Sequence, residues 1–269
     1  MHPRVCLHQV AFMAEPTAAF VAFCRDIEVG HCTLVTPKLG QPGELEAARS
    51  ALAETGVKAG CINHPFAMRP DLERDSGDAT AGLLQAIDMA ADLGAPSIYL
   101  VTGGRGGLSW EAAAARFADL IAPCREAAQK KGVALLVENA SALNVDIHIA
   151  HTLPDTTRLA RVAGIGVCID IQPCWMEAGL RENIAAAMPL TGLVQVSDYV
   201  LGDRTAPNRA VPGDGAVPLE RIIGDILELG YGGLFDLELV GPRIEEEGAR
   251  AASERAADYL SNLLTKLGA

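Results

Sequence analysis

Residues Gly132 to Asp170 contain two short apolar segments, each followed directly by a carboxylate. The segments are Val133-Ala134-Leu135-Leu136-Val137, followed by Glu138-Asn139, and Gly164-Ile165-Gly166-Val167-Cys168-Ile169, followed by Asp170. Runs of about five apolar residues that are rich in β-branched types and end on a polar residue are typical of buried parallel strands. In folds built from such strands, ligands bind at the carboxyl ends. Glu138 and Asp170 are therefore predicted to lie at a ligand-binding edge.

Two later segments, residues 193–198 and 232–239, repeat the pattern and place Gln195 and Glu238 at the same edge. Three carboxylates that converge without a cation would repel one another and raise each other's pKa. A divalent metal held by Glu138, Asp170, Glu238 and the side-chain oxygen of Gln195 is therefore the physically reasonable arrangement. The alternative is that each acid pairs with a Lys or Arg of a nearby loop.

Strand-like and helix-like segments alternate along the whole chain. The predicted strands are 4–11, 31–36, 57–63, 97–101, 133–138, 164–170, 193–198 and 234–238, and the predicted helices are 16–26, 43–54, 79–93, 111–131, 152–162, 176–188, 219–229 and 244–267. This alternation predicts an α/β fold with a parallel sheet. Because the 269 residues match the size of one (β/α)8 barrel, usually about 250 residues, we predict a single TIM barrel in one domain, residues 1–269.

Composition narrows the partners and the location. The net charge of −12 and the lack of a basic stripe argue against a nucleic-acid partner. The apolar stretches are shorter than the ~20 residues of a membrane helix, and Met1 to Arg4 leads into a strand rather than a signal segment. We expect a cytoplasmic protein without a membrane partner. The seven cysteines form no CxxC pair and are expected to be reduced core residues, although Cys174 is close enough to Asp170 to line a site.

The ordered set of motifs resembles the sugar phosphate isomerase/epimerase superfamily, also described as xylose isomerase-like TIM barrels. The resemblance rests on residues 136–139, 168–170, 195–198 and 209–215, and on the run Gly230-Tyr231-Gly232-Gly233 leading to Glu238. It covers most of the chain and is weakest before about residue 95. It implies one divalent metal on Glu138, Asp170, residue 195 and Glu238, which polarises a carbonyl and a hydroxyl of a sugar-like substrate and stabilises an enediolate.

The resemblance also implies roles for single residues. Glu138 and Glu238 would double as acid and base, as in the epimerases, and Arg209 would bind substrate. Position 195 is more often His in this superfamily, so Gln195 leaves only oxygen donors and favours Mg²⁺ or Mn²⁺ over Zn²⁺. Many members place a substrate-contacting His where this chain has Pro173, so a one-to-one epimerase mechanism does not carry over.

Other side chains are candidates on position alone. His64 follows predicted strand three and is a possible general base, with a structural hydrogen bond as the alternative. Substrate contacts are possible from His8, as opposed to core packing, and from Lys38, as opposed to an exposed surface lysine. Trp175 would stack on a ring unless it packs at a helix start. The glycine-rich loop 103–107 would offer N–H groups and Arg105 to an anion, or simply make a tight turn.

Three functions follow from these residues. The first is a divalent-metal-dependent isomerase or epimerase of a sugar or keto-polyol, acting through proton abstraction. The second is a dehydratase or other β-eliminating lyase with the same site, to which Gln195 points because some dehydratase-like members carry Gln there. The third is a catalytically inactive barrel that acts as a binding protein. The expected partner is a small sugar-like molecule, and a homo-oligomer is possible.

Overall fold

The computed structural model describes residues 1–269 and shows one closed barrel of eight parallel strands, β1 to β8, arranged in chain order. The strands are β1 Val5–His8, β2 His31–Val35, β3 Lys58–Ala67, β4 Ser97–Gly103, β5 Ala134–Glu138, β6 Gly166–Asp170, β7 Thr191–Val196 and β8 Phe235–Leu237. The helices are α1 Thr17–Asp26, α2 Thr36–Leu39, α3 Glu44–Thr55, α4 Asp78–Asp92, α5 Trp110–Lys131, α6 Leu153–Ala163, α7 Ile171–Cys174, α8 Leu180–Ala187, α9 Leu219–Glu228, α10 Pro242–Glu247 and α11 Ala249–Leu267. The predicted (β/α)8 TIM barrel is confirmed.

The chain divides into two compact units. The first comprises Met1–Gly60 and Leu193–Ala269, in which β7, β8, β1 and β2 are hydrogen-bonded in that order. Asp236 is in register with Gln195 on one side and with Cys6 on the other. Paired residues of parallel strands point to the same face of the sheet, so these three side chains share a face. That both units make up one domain stays a prediction.

The second unit, Cys61–Gly192, contains the parallel strands β3, β4, β5 and β6 in that order. Leu136 of β5 fills space that two glycines leave open, because a Cβ on Gly166 would lie 2.5 Å from its side chain and one on Gly192 would lie 2.8 Å from it. Phe66 of β3 meets Phe117 of α5 edge to face, with ring centroids 5.5 Å apart. Small residues and a few large side chains therefore interlock in this unit, as close packing requires.

Several element boundaries differ from those predicted. Strand β3 continues to Ala67 rather than ending at Asn63, so His64 lies within the strand. Strand β1 ends at His8, whose ring accepts the N–H of Val10 and begins a 3-10 turn. The helix predicted over 176–188 is shorter, because Gly179 has φ 64° and α8 begins after it. The closing helix breaks at Gly248, where φ is 93°. None of the helices combines the length and the apolar character needed to cross a bilayer.

Candidate metal centre

Three carboxylates from strand ends come together in the structure. Glu138 is the last residue of β5, Asp170 is the last residue of β6, and Glu238 directly follows β8. One carboxylate oxygen of each lies within 4.8 Å of the others. Glu138 and Asp170 are 5% and 0% exposed, and the side chain of Glu238 is 12% exposed. Water therefore screens little of the repulsion among them.

The chemistry of this donor set fits a divalent cation. Oxygens bound to one Mg²⁺ or Mn²⁺ ion at about 2.1 Å lie about 3–4 Å apart, which agrees with the spacing of the three carboxylates. All three carboxyl groups are buried, and buried charges are found paired or coordinating a metal. The carboxylates of Glu138, Asp170 and Glu238 therefore have the spacing of a ligand set, and their role as metal ligands stays a prediction.

Asn139 and Asp170 hold two of the strand ends in place. The side-chain Oδ1 of Asn139 accepts the N–H of Asp170 at 2.9 Å, and Nδ2 donates to the Asp170 carbonyl at 2.8 Å. Asn139 is fully buried. One oxygen of the Asp170 carboxylate also accepts the N–H of Gln172 at 3.1 Å. These contacts restrict both the backbone and the side chain of Asp170.

Cys174 lies beside Asp170 but lacks the character of a nucleophile. Its thiol donates to the Asp170 carbonyl at 3.1 Å and is 1% exposed. Burial raises the pKa of this thiol well above its ordinary value, and the charges of Glu177 and Asp170 raise it further. Since the thiolate is the reactive form, Cys174 acts as a packed donor. All seven cysteines are buried and free, as predicted.

In the first unit, Arg209 is paired with Glu238. Its Nη2 lies 2.7 Å from Oε2 of Glu238, and both side chains are 12% exposed. Nη1 of the same guanidinium donates to the Ser197 hydroxyl at 3.0 Å. A guanidinium in contact with a carboxylate makes charge-assisted hydrogen bonds, which are roughly twice as strong as neutral ones. Arg209 therefore stabilises the negative charge of Glu238 and fixes its orientation.

Gln195, His8 and Asp236 lie on the strands of the same unit, and all three are buried. Burial raises the pKa of the Asp236 carboxyl; His8 opposes this shift and Glu238 adds to it. Burial lowers the pKa of His8 to about 4, with Asp236 opposing and Arg209 reinforcing the shift. His8 is thus neutral at neutral pH, and because its Nδ1 accepts the N–H of Val10 at 2.9 Å, the ring proton lies on Nε2.

His64 lies elsewhere than the sequence indicated. A Cβ built on Gly82 of α4 would be 3.9 Å from both Cε1 and Nε2 of its ring, so the tip of the imidazole faces helix α4. The prediction that this residue follows the end of strand three is wrong, because β3 extends to Ala67. Burial lowers the pKa of His64 to about 4. Such a neutral imidazole between strand and helix is badly placed to act as a base at the strand ends.

Lys38 is buried, and its ammonium is paired with groups of the protein. Its side chain is 8% exposed, and its ammonium lies 3.5 Å from Oε1 of Glu44 and 3.4 Å from the carbonyl of Met13. The other oxygen of Glu44 accepts the N–H of Thr17 at 2.8 Å. The lysine therefore connects the segments before α1 and α3.

The glycine-rich loop after β4 has two N–H groups bonded within the protein, at its first and last residues. The N–H of Gly103 donates to Ile147, and that of Gly107 donates to the Glu73 carboxylate at 2.9 Å. A Cβ on Gly103 would lie 1.8 Å from the Ala67 carbonyl, so this glycine permits a close approach of two chain segments. Arg105 is exposed. Packing accounts for Gly103, and an anion-binding role of this loop and of Arg105 stays a prediction.

Trp175 and His148 carry buried N–H groups without a protein partner. Trp175 is half-buried, and its indole nitrogen is inaccessible and makes no hydrogen bond. His148 is 1% exposed; its Nδ1 accepts the N–H of Ile149 at 3.0 Å, which leaves the proton on Nε2, where no partner is found. Buried donors are normally satisfied, so a ligand or ordered water is the expected partner of each.

Four residues that contribute to this region were missed as functional candidates: Asn139, Ser197, Asp198 and Asp236. Asn139, Ser197 and Asp198 belong to the motifs quoted above but were given no role of their own. Asp236 precedes Glu238 by two residues, and the period of two in a strand was a signal that both point to one face. The partner of Asn139, 31 residues away, had no local signal.

The chain is similar to known proteins in sequence and in structure. The family model described as xylose isomerase-like TIM barrel matches residues 25–262. A Streptomyces coelicolor protein, named provisionally as a hydroxypyruvate isomerase, is 27% identical in an alignment of 251 residues that covers 86% of each chain. The structure of IOLI protein with a binding zinc atom aligns with a TM-score of 0.83 at 16% identity, over 98% of this chain and 99% of that one. D-Psicose 3-epimerase with D-tagatose, from Clostridium cellulolyticum H10, aligns with a TM-score of 0.79 at 13% identity over the same shares.

Proposed function

Because the chain belongs to the xylose isomerase-like TIM-barrel family, we propose that it is a divalent-metal-dependent isomerase or epimerase of a small sugar-like substrate. The observation that carries the proposal is the convergence of the carboxylates of Glu138, Asp170 and Glu238 within 4.8 Å. The names of the Streptomyces relative and of the psicose epimerase support the reaction class. In this proposal Gln195 is the fourth ligand, and the all-oxygen set favours Mg²⁺ or Mn²⁺ over Zn²⁺.

A divalent cation bound there supplies Lewis acidity toward a carbonyl and a neighbouring hydroxyl of the substrate. Glu138 is proposed to remove the proton from the carbon beside the carbonyl. An isomerase then returns that proton to the adjacent carbon from the same carboxyl, whereas an epimerase needs a second carboxyl on the opposite face. Glu238 is proposed for the second role, with Arg209 holding its orientation at 2.7 Å.

The proposed contacts to substrate come from donors whose protons are fixed. Trp175 has a buried N–H without a protein partner, and the neutral ring of His8 carries its proton on Nε2. Arg209 presents a guanidinium beside Glu238. His64 and Lys38 are left out of the proposed site, because one faces α4 and the other is paired with Glu44.

Metal content is the first test of the proposal. Purified protein is incubated with Mn²⁺ or Mg²⁺, freed of excess ion and measured by inductively coupled plasma mass spectrometry. We expect about one ion per chain, and loss of that ion in Glu238→Gln and Asp170→Asn. Glu177→Gln is the matched control, because Glu177 is a half-buried carboxylate that accepts the N–H of Leu153 and the side-chain amide of Asn183. Absence of metal from the unmodified protein would favour a metal-free binding barrel.

Turnover is tested by ¹H NMR in D₂O with hydroxypyruvate and ketohexoses. Exchange of the proton beside the carbonyl, together with an isomer or epimer, is the expected result. Exchange in Glu138→Gln should fall by at least about 100-fold, the usual contribution of a general base. A product that has lost water would replace the isomerase proposal with the lyase alternative.

A further inference from the structure

Asp198 lies at the start of the long connection between β7 and α9, and its carboxylate accepts four backbone hydrogen bonds. The residue is 1% exposed. Its Oδ1 accepts the N–H of Tyr199 at 2.8 Å and of Val217 at 3.0 Å. Its Oδ2 accepts the N–H of Gly213 at 2.9 Å and of Gly215 at 3.0 Å. One side chain therefore ties both ends of the connection together.

These four bonds saturate the carboxylate. Each oxygen of an ionised carboxyl has two lone-pair sites, and each oxygen of Asp198 accepts two N–H groups. No acceptor site remains for a cation or a substrate hydroxyl. Asp198 is thus a structural acceptor rather than a further ligand of the candidate centre, although it directly follows Ser197.

The glycines of the run Pro212-Gly213-Asp214-Gly215 are required by the conformation and the packing of this turn. A Cβ on Gly215 would lie 2.3 Å from Oδ1 of Asp198 and 2.4 Å from the carbonyl of Tyr199. Gly213 has φ 98°, a conformation that L side chains rarely adopt. A side chain at Gly215 would collide with Asp198, and one at Gly213 would lie 2.8 Å from the ring of Tyr259 on α11.

Asp198 is also bonded to the residue that follows Arg209. Asp198 and Ala210 exchange two backbone hydrogen bonds, each 2.9 Å long, and Arg209 directly precedes Ala210. The guanidinium of Arg209 then reaches the Ser197 hydroxyl and the Glu238 carboxylate. The position of the guanidinium therefore depends on how the connection returns to the end of β7.

We propose that Asp198 is a positioning residue, whose carboxylate holds Arg209 against Glu238 by closing residues 198–218 onto the end of β7. Ordering a connection of about twenty residues costs conformational entropy, and charge-assisted bonds to backbone N–H groups offset that cost. The importance of Glu238 as a metal ligand rests on the proposed function. The placement of Arg209 does not.

The first experiment reads the placement of Arg209 without any metal. In ¹⁵N-labelled protein, the guanidinium signals of Arg209 are identified by their loss in Arg209→Lys, and their hydrogen exchange is measured. We expect exchange at least about tenfold faster in Asp198→Asn, as for a locally opened segment. Asp214→Asn is the matched control: it removes a charge from the same connection, but Asp214 is paired with Arg255 on α11 and should leave Arg209 unchanged.

The second experiment measures Mn²⁺ affinity by isothermal titration calorimetry. Removing the positive charge beside Glu238 in Arg209→Met should tighten binding roughly threefold to tenfold. If Asp198 acts through Arg209, Asp198→Asn should tighten binding by a similar factor, and the double variant should go no further. A purely structural loss would weaken binding in both backgrounds.

The outcomes separate the two proposals. A folded Asp198→Asn protein with unchanged Arg209 exchange overturns the positioning role. If Asp198→Asn does not fold, Gly215→Ala displaces the turn from the carboxylate by a smaller change and is judged by the same exchange measurement. A protein that binds no metal defeats the proposed function, and the exchange experiment still decides the role of Asp198.

Discussion

The side-chain amide of Asn139 accepts the backbone N–H of Asp170 at 2.9 Å and donates to its carbonyl at 2.8 Å. A side chain here makes a pair of bonds that join the ends of β5 and β6. Asn139 directly follows Glu138, and Asp170 carries the second carboxylate of the cluster. The separation of two proposed ligands therefore depends on this amide as well as on the pairing of β5 with β6.

Replacing Asn139 by Leu should weaken both the fold and the metal site. Two buried backbone groups of Asp170 lose their partners, which costs about 2–4 kcal/mol in the free energy of unfolding. Mn²⁺ affinity should fall roughly 10-fold to 100-fold, the usual effect of losing a group that orients a ligand. Urea unfolding and calorimetric titration measure the two effects. Asn183→Leu, which removes an amide bonded to Glu177, should lower stability without changing metal affinity.

Replacing Gln195 by His should change the metal preference. The substitution adds a nitrogen donor to a set of oxygens, and imidazole suits Zn²⁺ better than Mg²⁺. We expect the ratio of Zn²⁺ to Mg²⁺ affinity to rise at least about tenfold, measured by competition with a chromophoric chelator. Gln129→His introduces the same side chain on the exposed surface of α5 and should leave the ratio unchanged. An unaltered ratio in Gln195→His would remove residue 195 from the proposed ligand set.

Stability should fall on acidification because of buried neutral histidines. Burial lowers the pKa of His64 to about 4 and that of His148 to about 3, from an ordinary value of 6.5. The unfolded chain therefore binds these protons at higher pH than the folded chain, and the free energy of unfolding decreases as the pH falls from about 6.5 toward 4. For His64 the full effect is at most about 3 kcal/mol.

Urea unfolding between pH 7 and pH 4.5 measures that slope. His64→Leu should reduce it by up to one proton in the window below pH 6.5 and leave it unchanged above. Turnover of any substrate found should survive in the same variant, because the ring of His64 faces α4. Loss of turnover in a folded His64→Leu protein would restore the histidine as a catalytic base.

Lys38 should matter to stability rather than to substrate binding. Breaking its partly buried pair with Glu44, whose side chains are 8% and 16% exposed, should cost about 2–4 kcal/mol in Lys38→Met. Lys131→Met is the matched control, since its pair with Asp88 is 42% and 69% exposed and should contribute less than about 1 kcal/mol. A raised KM in Lys38→Met with unchanged stability would contradict this assignment.

Much of the fold was predictable because it is written in local patterns. Apolar runs such as 133–137 and 164–169 mark buried strands, and their alternation with helical segments predicts the barrel. The limits of the elements were less predictable. Pro65 follows His64, and such a residue normally weakens a strand assignment, yet β3 passes through it to Ala67. The strand runs four residues past its predicted end, so His64 lies within it, and the ring of His64 faces α4.

The contacts around the candidate centre were less accessible still. Arg209 and Glu238 are 29 residues apart in the chain and 2.7 Å apart in space, and Asp198 bonds backbone groups up to 19 residues away. Local periodicity carries no information about where a long connection returns. The sequence therefore identifies Asp198 as part of a motif, but it does not show that this carboxylate accepts four backbone N–H groups of the connection.

The class of fold and the carboxylates that end the strands follow from the sequence alone, because hydrophobic periodicity and the polar residue that ends it are both local. Which side chains meet at the candidate metal centre is known only from the tertiary structure. One carboxylate oxygen of each of Glu138, Asp170 and Glu238 lies within 4.8 Å of the others. Asn139 joins the ends of β5 and β6, and the connection after β7 brings Arg209 to Glu238. Contacts between side chains depend on the path of the whole chain, whereas strand formation depends on a few neighbouring residues.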